Sequence, residues 1–311
     1  MSVNLREDTP HFSDEPIEIA FDQLLRPSSA VRQSFVIRDA FGAAVEAPLV
    51  TYDPVLRIVR IENPRLDQAD ENVRPWMLDQ QPYTLTLGIP EPGEDTGGFV
   101  SIDEGKLSET SKRRWGFVAR IRPRDTTPPA AESFCGDVLP LLQAKCGSCH
   151  GAARADMGLD LSSGEAIQRT AVGRLARLSA NASSSRDPIS AGRVFGRNMA
   201  LVDPRSPGTS FLLYKTLLAA PAAPAFETPA CGTQTQLIAP RVAHYAGLSD
   251  ADRSRLAAYV GGDTMPPARD VSAPDRALPH ALTLDEQRIL SAWMSRGAPT
   301  PSCFSCAIVP P

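Results

Sequence analysis

Aromatic residues, lysine and long apolar runs are all scarce in this chain of 311 residues, which has 3 Trp, 5 Tyr and 11 Phe. No stretch of 18 apolar residues occurs, so the sequence predicts no membrane span. A net charge of −4 and few stacking aromatics exclude the strongly basic surface that nucleic acids require, so no nucleic-acid partner is predicted. The 29 prolines favour loops, turns and strands over long helices.

One pentapeptide carries recognisable chemistry: Cys146-Gly147-Ser148-Cys149-His150. This C-x-x-C-H order is the attachment signature of a c-type haem. Each thiol can add to a haem vinyl group and form a thioether, and the imidazole that follows can take the proximal position on the iron. We therefore predict one covalent haem c, held by Cys146, Cys149 and His150.

Two other uses of the motif remain open at this stage, a redox dithiol and half of a zinc site. The zinc alternative arises because Cys303-Phe304-Ser305-Cys306 supplies a second C-x-x-C. Zinc ribbons usually separate their pairs by about 15–20 residues, however, and these two pairs lie much further apart.

A second iron ligand is predicted at Met265. It is followed by Pro266-Pro267, which stiffen the backbone and fix the direction of the sulfur, and it lies in a loop between two predicted helices. A Met thioether opposite a histidine is a common arrangement in haem electron carriers. Alternatives within the same half of the chain are Met157, Met199, His244 and His280.

The four remaining cysteines are Cys135, Cys231, Cys303 and Cys306, which suit disulfides in an oxidising compartment. Four cysteines allow three pairings, of which we favour Cys135 with Cys231 and Cys303 with Cys306. The polar start of the chain is not a secretory leader, although c-type haem is attached outside the bacterial cytoplasm. We therefore expect a protein of the periplasm or cell surface whose leader or lipid anchor is not part of this sequence.

The first half of the chain has the pattern of short strands. Apolar residues alternate with polar ones from Ile17 to Asp22 and again from Leu56 to Ile61, with turn residues between such segments. The sequence predicts an N-terminal arm at 1–16, an all-β sandwich at 17–123 and a Pro-rich linker at 124–133.

The first domain resembles the bacterial immunoglobulin-like modules of exported and cell-surface proteins. The matching segments are Ile17–Asp22, Ser34–Asp39, Val50–Pro54, Tyr83–Leu87 and Trp115–Phe117. This resemblance implies an Ig-like sandwich that serves as a spacer or an interaction module.

The second half has helical patterns and helix starts. Ser249-x-x-Asp252 and Thr283-x-x-Glu286 are capping boxes ahead of apolar helix faces, and helices are also expected at 164–178 and 210–218. The predicted haem domain covers 134–302 and a tail follows at 303–311.

This second half resembles bacterial cytochrome c modules. The matching segments are Cys146–Gly151, Gly158–Leu161, Asp203–Ser210, Met265–Pro267, Leu284–Met294 and Gly297-Ala298. The resemblance implies a mainly-α cytochrome c-like domain, with Cys146 and Cys149 as thioether donors, His150 as proximal ligand and Met265 as distal ligand. The segment Pro221–Pro240, which contains Cys231, departs from the pattern.

The expected fold class is thus multidomain, and the expected function is that of a single-haem c-type cytochrome of the cell envelope. Such a protein exchanges electrons with a redox partner protein by outer-sphere transfer and is not an enzyme. Two alternatives remain open: a haem-dependent, peroxidase-like enzyme, and a surface interaction protein whose haem senses or stabilises.

Overall fold

The computed structural model describes residues 1–7, 9–46, 48–64, 76–91, 97–108, 110–121, 133–176, 199–223, 241–242, 247–260, 264–267 and 281–303. The chain divides into two compact units. Unit 1 comprises residues 1–128 and 239–245, and unit 2 comprises residues 129–238 and 246–311. The predicted linker at 124–133 lies almost wholly outside the described residues.

Unit 1 contains two four-stranded sheets. Their strands are β1 (Ser2–Val3), β2 (His11–Phe12), β3 (Ile17–Ala20), β4 (Phe35–Asp39), β5 (Leu49–Asp53), β6 (Ile58–Glu62), β7 (Pro82–Leu87) and β8 (Arg114–Arg120). The strand orders are β1-β3-β6-β5 and β2-β8-β7-β4. Neighbouring strands are antiparallel except for β2 and β8, which run parallel.

The core of unit 1 follows from the period of two in its strands. In β7, Tyr83, Leu85 and Leu87 are buried while the residues between them are not. In β8 the buried Phe117 stacks on Tyr83, with ring centroids 5.8 Å apart. Strands are therefore confirmed where alternation predicted them, and in β7 and β8 alternate side chains reach one core. The strand β3, in contrast, is buried on both faces and not half-buried as predicted.

The N-terminal residues are not the arm that the sequence predicted. β1 pairs with β3, and β2 pairs with β8, so residues before Ile17 extend both sheets. Asn4 strengthens this attachment: its side-chain oxygen accepts the Glu18 N–H at 2.9 Å. Strands of two residues are too short to produce a visible alternation in a sequence.

A segment from late in the chain also belongs to unit 1. The Arg241 N–H donates to Glu18 Oε2 at 2.6 Å, and its guanidinium pairs with Glu15 at 2.5 Å. Next to it, Val242 packs with Ala20, Leu56 and Ile58. This segment directly follows Pro221–Pro240, the part of the sequence that departs from the cytochrome pattern.

The described residues of unit 2 include five short helices. They are α1 (Leu139–His150), α2 (Gly164–Thr170), α3 (Phe211–Leu217), α4 (Asp250–Val260) and α5 (Leu284–Ser295). A π-helical turn, Phe134–Val138, leads into α1, and a two-residue strand, β9 (Arg154–Ala155), follows it. Phe134 lies against Trp293 of α5, with ring centroids 6.0 Å apart, so the first and last helical segments of the unit pack together.

The predicted fold class, an all-β immunoglobulin-like sandwich followed by a mainly-α cytochrome c-like domain, is wrong. The structure is mixed, with 31% of the described residues helical and 25% in strands, and no clear mainly-α C-terminal domain. Helix α2 is shorter than predicted. After it, Val172 pairs with Val202 and Gly173 takes a φ of 66°, so the helix expected at 164–178 ends at Thr170.

In the described part of the chain, every helix falls short of the length and apolarity needed to cross a bilayer, and the longest have 12 residues.

Candidate metal centre

Helix α1 carries the whole C-x-x-C-H motif at its C-terminal end. Cys146 and Cys149 are three residues apart and His150 follows directly, so the helix places the three side chains close together on its surface. Pro140 lies in the first turn, where its missing N–H costs no hydrogen bond. In the sequence, Val138, Leu139, Leu142 and Cys146 lie at i, i+1, i+4 and i+8, which favours a helix here, and the structure has one.

The segment before α1 is fixed by a reciprocal cap. Ser133 Oγ accepts the Gly136 N–H at 3.1 Å, and the Asp137 carboxylate accepts the Ser133 N–H at 2.7 Å. Val138 and Leu142 are buried and anchor the helix in the core of unit 2. A capped and anchored helix gives the motif a rigid support.

The chain turns back immediately after His150. The pairs His150–Ala155 and Gly151–Arg154 form antiparallel bridges, and the Leu161 N–H donates to the His150 carbonyl at 2.7 Å. Gly151 allows this return, because a Cβ at that position would lie 2.5 Å from the Gly147 carbonyl oxygen. The turn covers the end of α1 with residues 151–161.

Cys146 and Cys149 are both free thiols and half-buried. Burial, with smaller contributions from Cys149 and Glu286, raises the pKa of Cys146 to about 12, against an opposing effect of Lys145. Reactive dithiols have the opposite property, a depressed thiol pKa. Burial therefore disfavours the Cys146 thiolate, which is the nucleophilic form of a reactive dithiol.

The surroundings of the His150 ring favour its neutral form. Burial lowers the pKa of His150, and the charge of Asp156 with the backbone of Asp156 and Leu159 partly opposes the shift. Among the described residues, no group hydrogen bonds with the buried Nδ1 atom of His150. A neutral imidazole keeps a nitrogen lone pair for a metal ion.

The methionines and histidines proposed as second ligands lie in different settings. Met265 is half-buried, and its N–H donates to the Lys215 carbonyl of α3 at 3.2 Å. Met199 is half-buried and Met157 is 57% exposed. His244 and His280 lie outside the described residues. Of the described candidates, Met265 is the one whose backbone is bonded to a buried helix of unit 2.

The first turn of α5 contacts two other helices. Glu286 caps its own helix by accepting the Thr283 N–H at 2.6 Å, and its other oxygen lies 3.4 Å from Lys145 Nζ of α1. The next residue, Gln287, donates from Nε2 to the Thr216 carbonyl of α3 at 3.1 Å. The predicted capping box at Thr283 is confirmed. The sequence did not predict the contacts of Glu286 with α1 and of Gln287 with α3.

Cys135 and Cys303 form a disulfide, with Cα atoms 5.4 Å apart. The favoured pairing of Cys135 with Cys231 and of Cys303 with Cys306 is therefore wrong. The zinc alternative also loses support, because the sulfur of Cys303 is bonded and cannot be a thiolate ligand. Cys231 and Cys306 lie outside the described residues. The positions of the two cysteines gave a hint of this pairing, because Cys135 precedes α1 and Cys303 follows α5.

The residues around the motif fit a haem better than a metal ion bound by protein ligands alone. In the described ranges, no group of three or more His, Cys, Asp or Glu side chains could hold a metal ion. A haem brings four nitrogen ligands of its own and needs only attachment points and axial donors. Two free thiols and an imidazole whose Nδ1 atom has no hydrogen-bond partner among the described residues, all at one helix end, meet those needs.

No protein-family model matches this chain, and no curated protein matches it either. What the protein does is therefore inferred from its residues and their geometry.

Proposed function

We propose that this protein is a single-haem c-type cytochrome of the cell envelope, an electron carrier that exchanges electrons with a redox partner protein. Bound haem would supply a one-electron redox centre. Cys146 and Cys149 would hold it through thioethers, and His150 and Met265 would ligate its iron. An iron ligated by two protein side chains would favour outer-sphere transfer over a haem-dependent enzyme reaction.

The observation that carries the proposal is the state of the cysteines. In the structure Cys135 is paired with Cys303, while Cys146 and Cys149 remain free thiols on the same helix end as His150. Disulfides persist in oxidising compartments, where two neighbouring thiols would otherwise be expected to pair or oxidise. Use as thioether donors gives both thiols a role in such a compartment, and it agrees with an exported protein.

Several of the chain's own residues prepare the site. Gly151 lets the chain fold back over the end of α1, and the bond from Leu161 to the His150 carbonyl fixes this return. Burial favours the neutral imidazole, and the Lys215 carbonyl accepts the Met265 N–H. Unit 1 contributes no residue to this site in the proposal, and we assign it the role of a spacer or partner-binding module.

The decisive experiment is expression of the full chain together with haem-maturation machinery. We expect a mass increase of one haem that survives denaturation, and absorption spectra typical of a c-type cytochrome in both oxidation states. The variant Cys146→Ala/Cys149→Ala should lose the covalent mass, and the matched variant Ser148→Ala should keep it. Wild-type protein that carries zinc, or no covalent haem, would contradict the proposal.

A further inference from the structure

Met265 and Gln287 use neighbouring carbonyls at the end of the same helix. The Met265 N–H donates to the Lys215 carbonyl at 3.2 Å, and Gln287 Nε2 donates to the Thr216 carbonyl at 3.1 Å. Carbonyls in the last turn of a helix have no donor within the helix, so these two bonds satisfy groups that would otherwise be unpaired. The end of α3 therefore links the Met265 loop to α5.

The residue before Gln287 contacts the other side of the site. Glu286 pairs with Lys145 at 3.4 Å, and both side chains are largely buried. Lys145 directly precedes Cys146 in α1. Two consecutive residues of α5 thus reach the helix that carries the C-x-x-C-H motif and the helix end that holds Met265, so the first turn of α5 connects the two halves of the proposed site.

Packing alone does not account for a glutamine at position 287. The side chain is 1% exposed, and its Oε1 atom has no hydrogen-bond partner among the described residues. A buried polar atom without a partner is destabilising, and an apolar side chain of the same size would avoid this cost. The hydroxyl oxygens of Ser291, one turn further along α5, and of Thr264, next to Met265, are also buried without a hydrogen-bond partner among the described residues. Buried polar atoms without partners are uncommon and call for an explanation.

We infer that Gln287 is a positioning residue, which fixes the end of α3 and through it holds the Met265 thioether in place as the distal ligand. The inference rests on the proposed function, because it assigns to Gln287 an effect on a ligand of the bound haem. Gln287 does not touch the iron in this inference; it acts through the Thr216 and Lys215 carbonyls and the Met265 backbone.

The test uses the full-length haem-loaded protein and imidazole as an added ligand that competes with Met265. Loss of one buried hydrogen bond is worth about 0.5–1.5 kcal/mol, so Gln287→Met should raise imidazole affinity about two- to tenfold. The matched control is Gln168→Met, since the exposed Gln168 side chain lies on α2 and accepts a hydrogen bond from the Thr300 hydroxyl. The control should bind imidazole as the wild type does.

A double-mutant cycle separates positioning from a general loss of stability. If Gln287 acts through Met265, Gln287→Met should have no further effect on imidazole affinity in a Met265→Ala background. A merely structural role would lower the free energy of unfolding in both backgrounds without this coupling. If Gln287→Met does not fold, Gln287→Glu, which keeps the length and shape but not the amide donor, is judged by the same cycle.

The outcomes are distinguishable. The inference is overturned if Gln287→Met changes imidazole affinity no more than Gln168→Met does. It is also overturned if the effect of Gln287→Met persists fully in the Met265→Ala background. Either result leaves the proposed function standing. Wild-type protein without covalent haem by mass overturns the proposed function itself, and Met265→Ala without effect on imidazole affinity overturns the ligand assignment.

Discussion

Cys135 and Cys303 are joined by a disulfide although 168 residues separate them in the sequence. Cys135 lies in the turn that leads into α1, and Cys303 lies beyond α5, so the bond closes almost the whole of unit 2 into a loop. The neighbouring contacts agree with this closure. A Cβ on Gly164 would lie 2.8 Å from the Pro301 carbonyl oxygen and 3.1 Å from the Phe134 ring, so the segment before Cys303 packs tightly there.

The first prediction concerns this bond. In the chain-entropy treatment a loop of this length is worth about 4–5 kcal/mol, because the crosslink restricts the unfolded chain. Cys135→Ala should therefore lower the free energy of unfolding of unit 2 by up to that amount, as measured by urea denaturation. Reduction of the wild type should produce the same loss, and reduction of the variant should add little. Equal stability of oxidised wild type and variant would contradict the pairing.

A second prediction compares Gly147, inside the C-x-x-C-H motif, with Gly151, which directly follows it. Gly151→Ala places a Cβ 2.5 Å from the Gly147 carbonyl oxygen, so the turn after His150 must shift. We expect lower stability and a smaller fraction of protein with covalent haem, measured by denaturation and by mass. Gly147→Ala is the matched control, since its Cβ would meet only Gln143 Cβ, at 4.0 Å. In the middle of a helix, alanine should stabilise by up to about 1 kcal/mol. If the two variants have the same stability and the same fraction of covalent haem, the Cβ clash at position 151 is not the cause.

The third prediction concerns the distal ligand. Met265→Ala should lower the reduction potential of the haem-loaded protein, because a Met thioether opposite histidine raises it. Met157→Ala and Met199→Ala, measured by the same spectroelectrochemical titration, are the controls and should leave the potential near that of the wild type. If the reduction potential falls only in Met157→Ala or only in Met199→Ala, that methionine is the ligand and Met265 is not.

The fourth prediction is a pH dependence in unit 1. Burial raises the pKa of Tyr52 above its ordinary value of 10; Asp53 adds to this, and the Leu25 N–H and Arg57 oppose it. Above pH 10 the unfolded chain loses the phenol proton while the folded protein keeps it, so folding stability falls as pH rises. The slope from this one group is at most about 1.4 kcal/mol per pH unit.

The variant Tyr52→Phe tests this dependence. It should be less stable at pH 7 by about 1–3 kcal/mol, because the Leu25 N–H, which donates to the Tyr52 hydroxyl at 2.9 Å, loses its acceptor. Between pH 10 and 12 its stability should fall less steeply than that of the wild type. Parallel stability curves, measured by denaturation at a series of pH values, would show that Tyr52 does not cause the dependence.

Much of the local structure was predictable because it depends on neighbours in the sequence. The period of two in β7 and β8 and the Thr283 capping box are each decided within a few residues. The strands β1 and β2 were missed for the complementary reason. They owe their conformation to hydrogen bonds with Ile17–Ala20 and Arg114–Arg120, not to a pattern of their own.

By itself the sequence determined the chemistry offered at one point: two thiols and an imidazole in fixed order, which any helix would bring to the same end. Only the tertiary structure decided what meets that end. The bond of Cys135 to Cys303, the pairing of Lys145 with Glu286 and the attachment of Met265 to Lys215 all join residues far apart in the chain. Such contacts depend on how helices pack in three dimensions. Periodicity describes one segment at a time, so it does not predict which segments become neighbours.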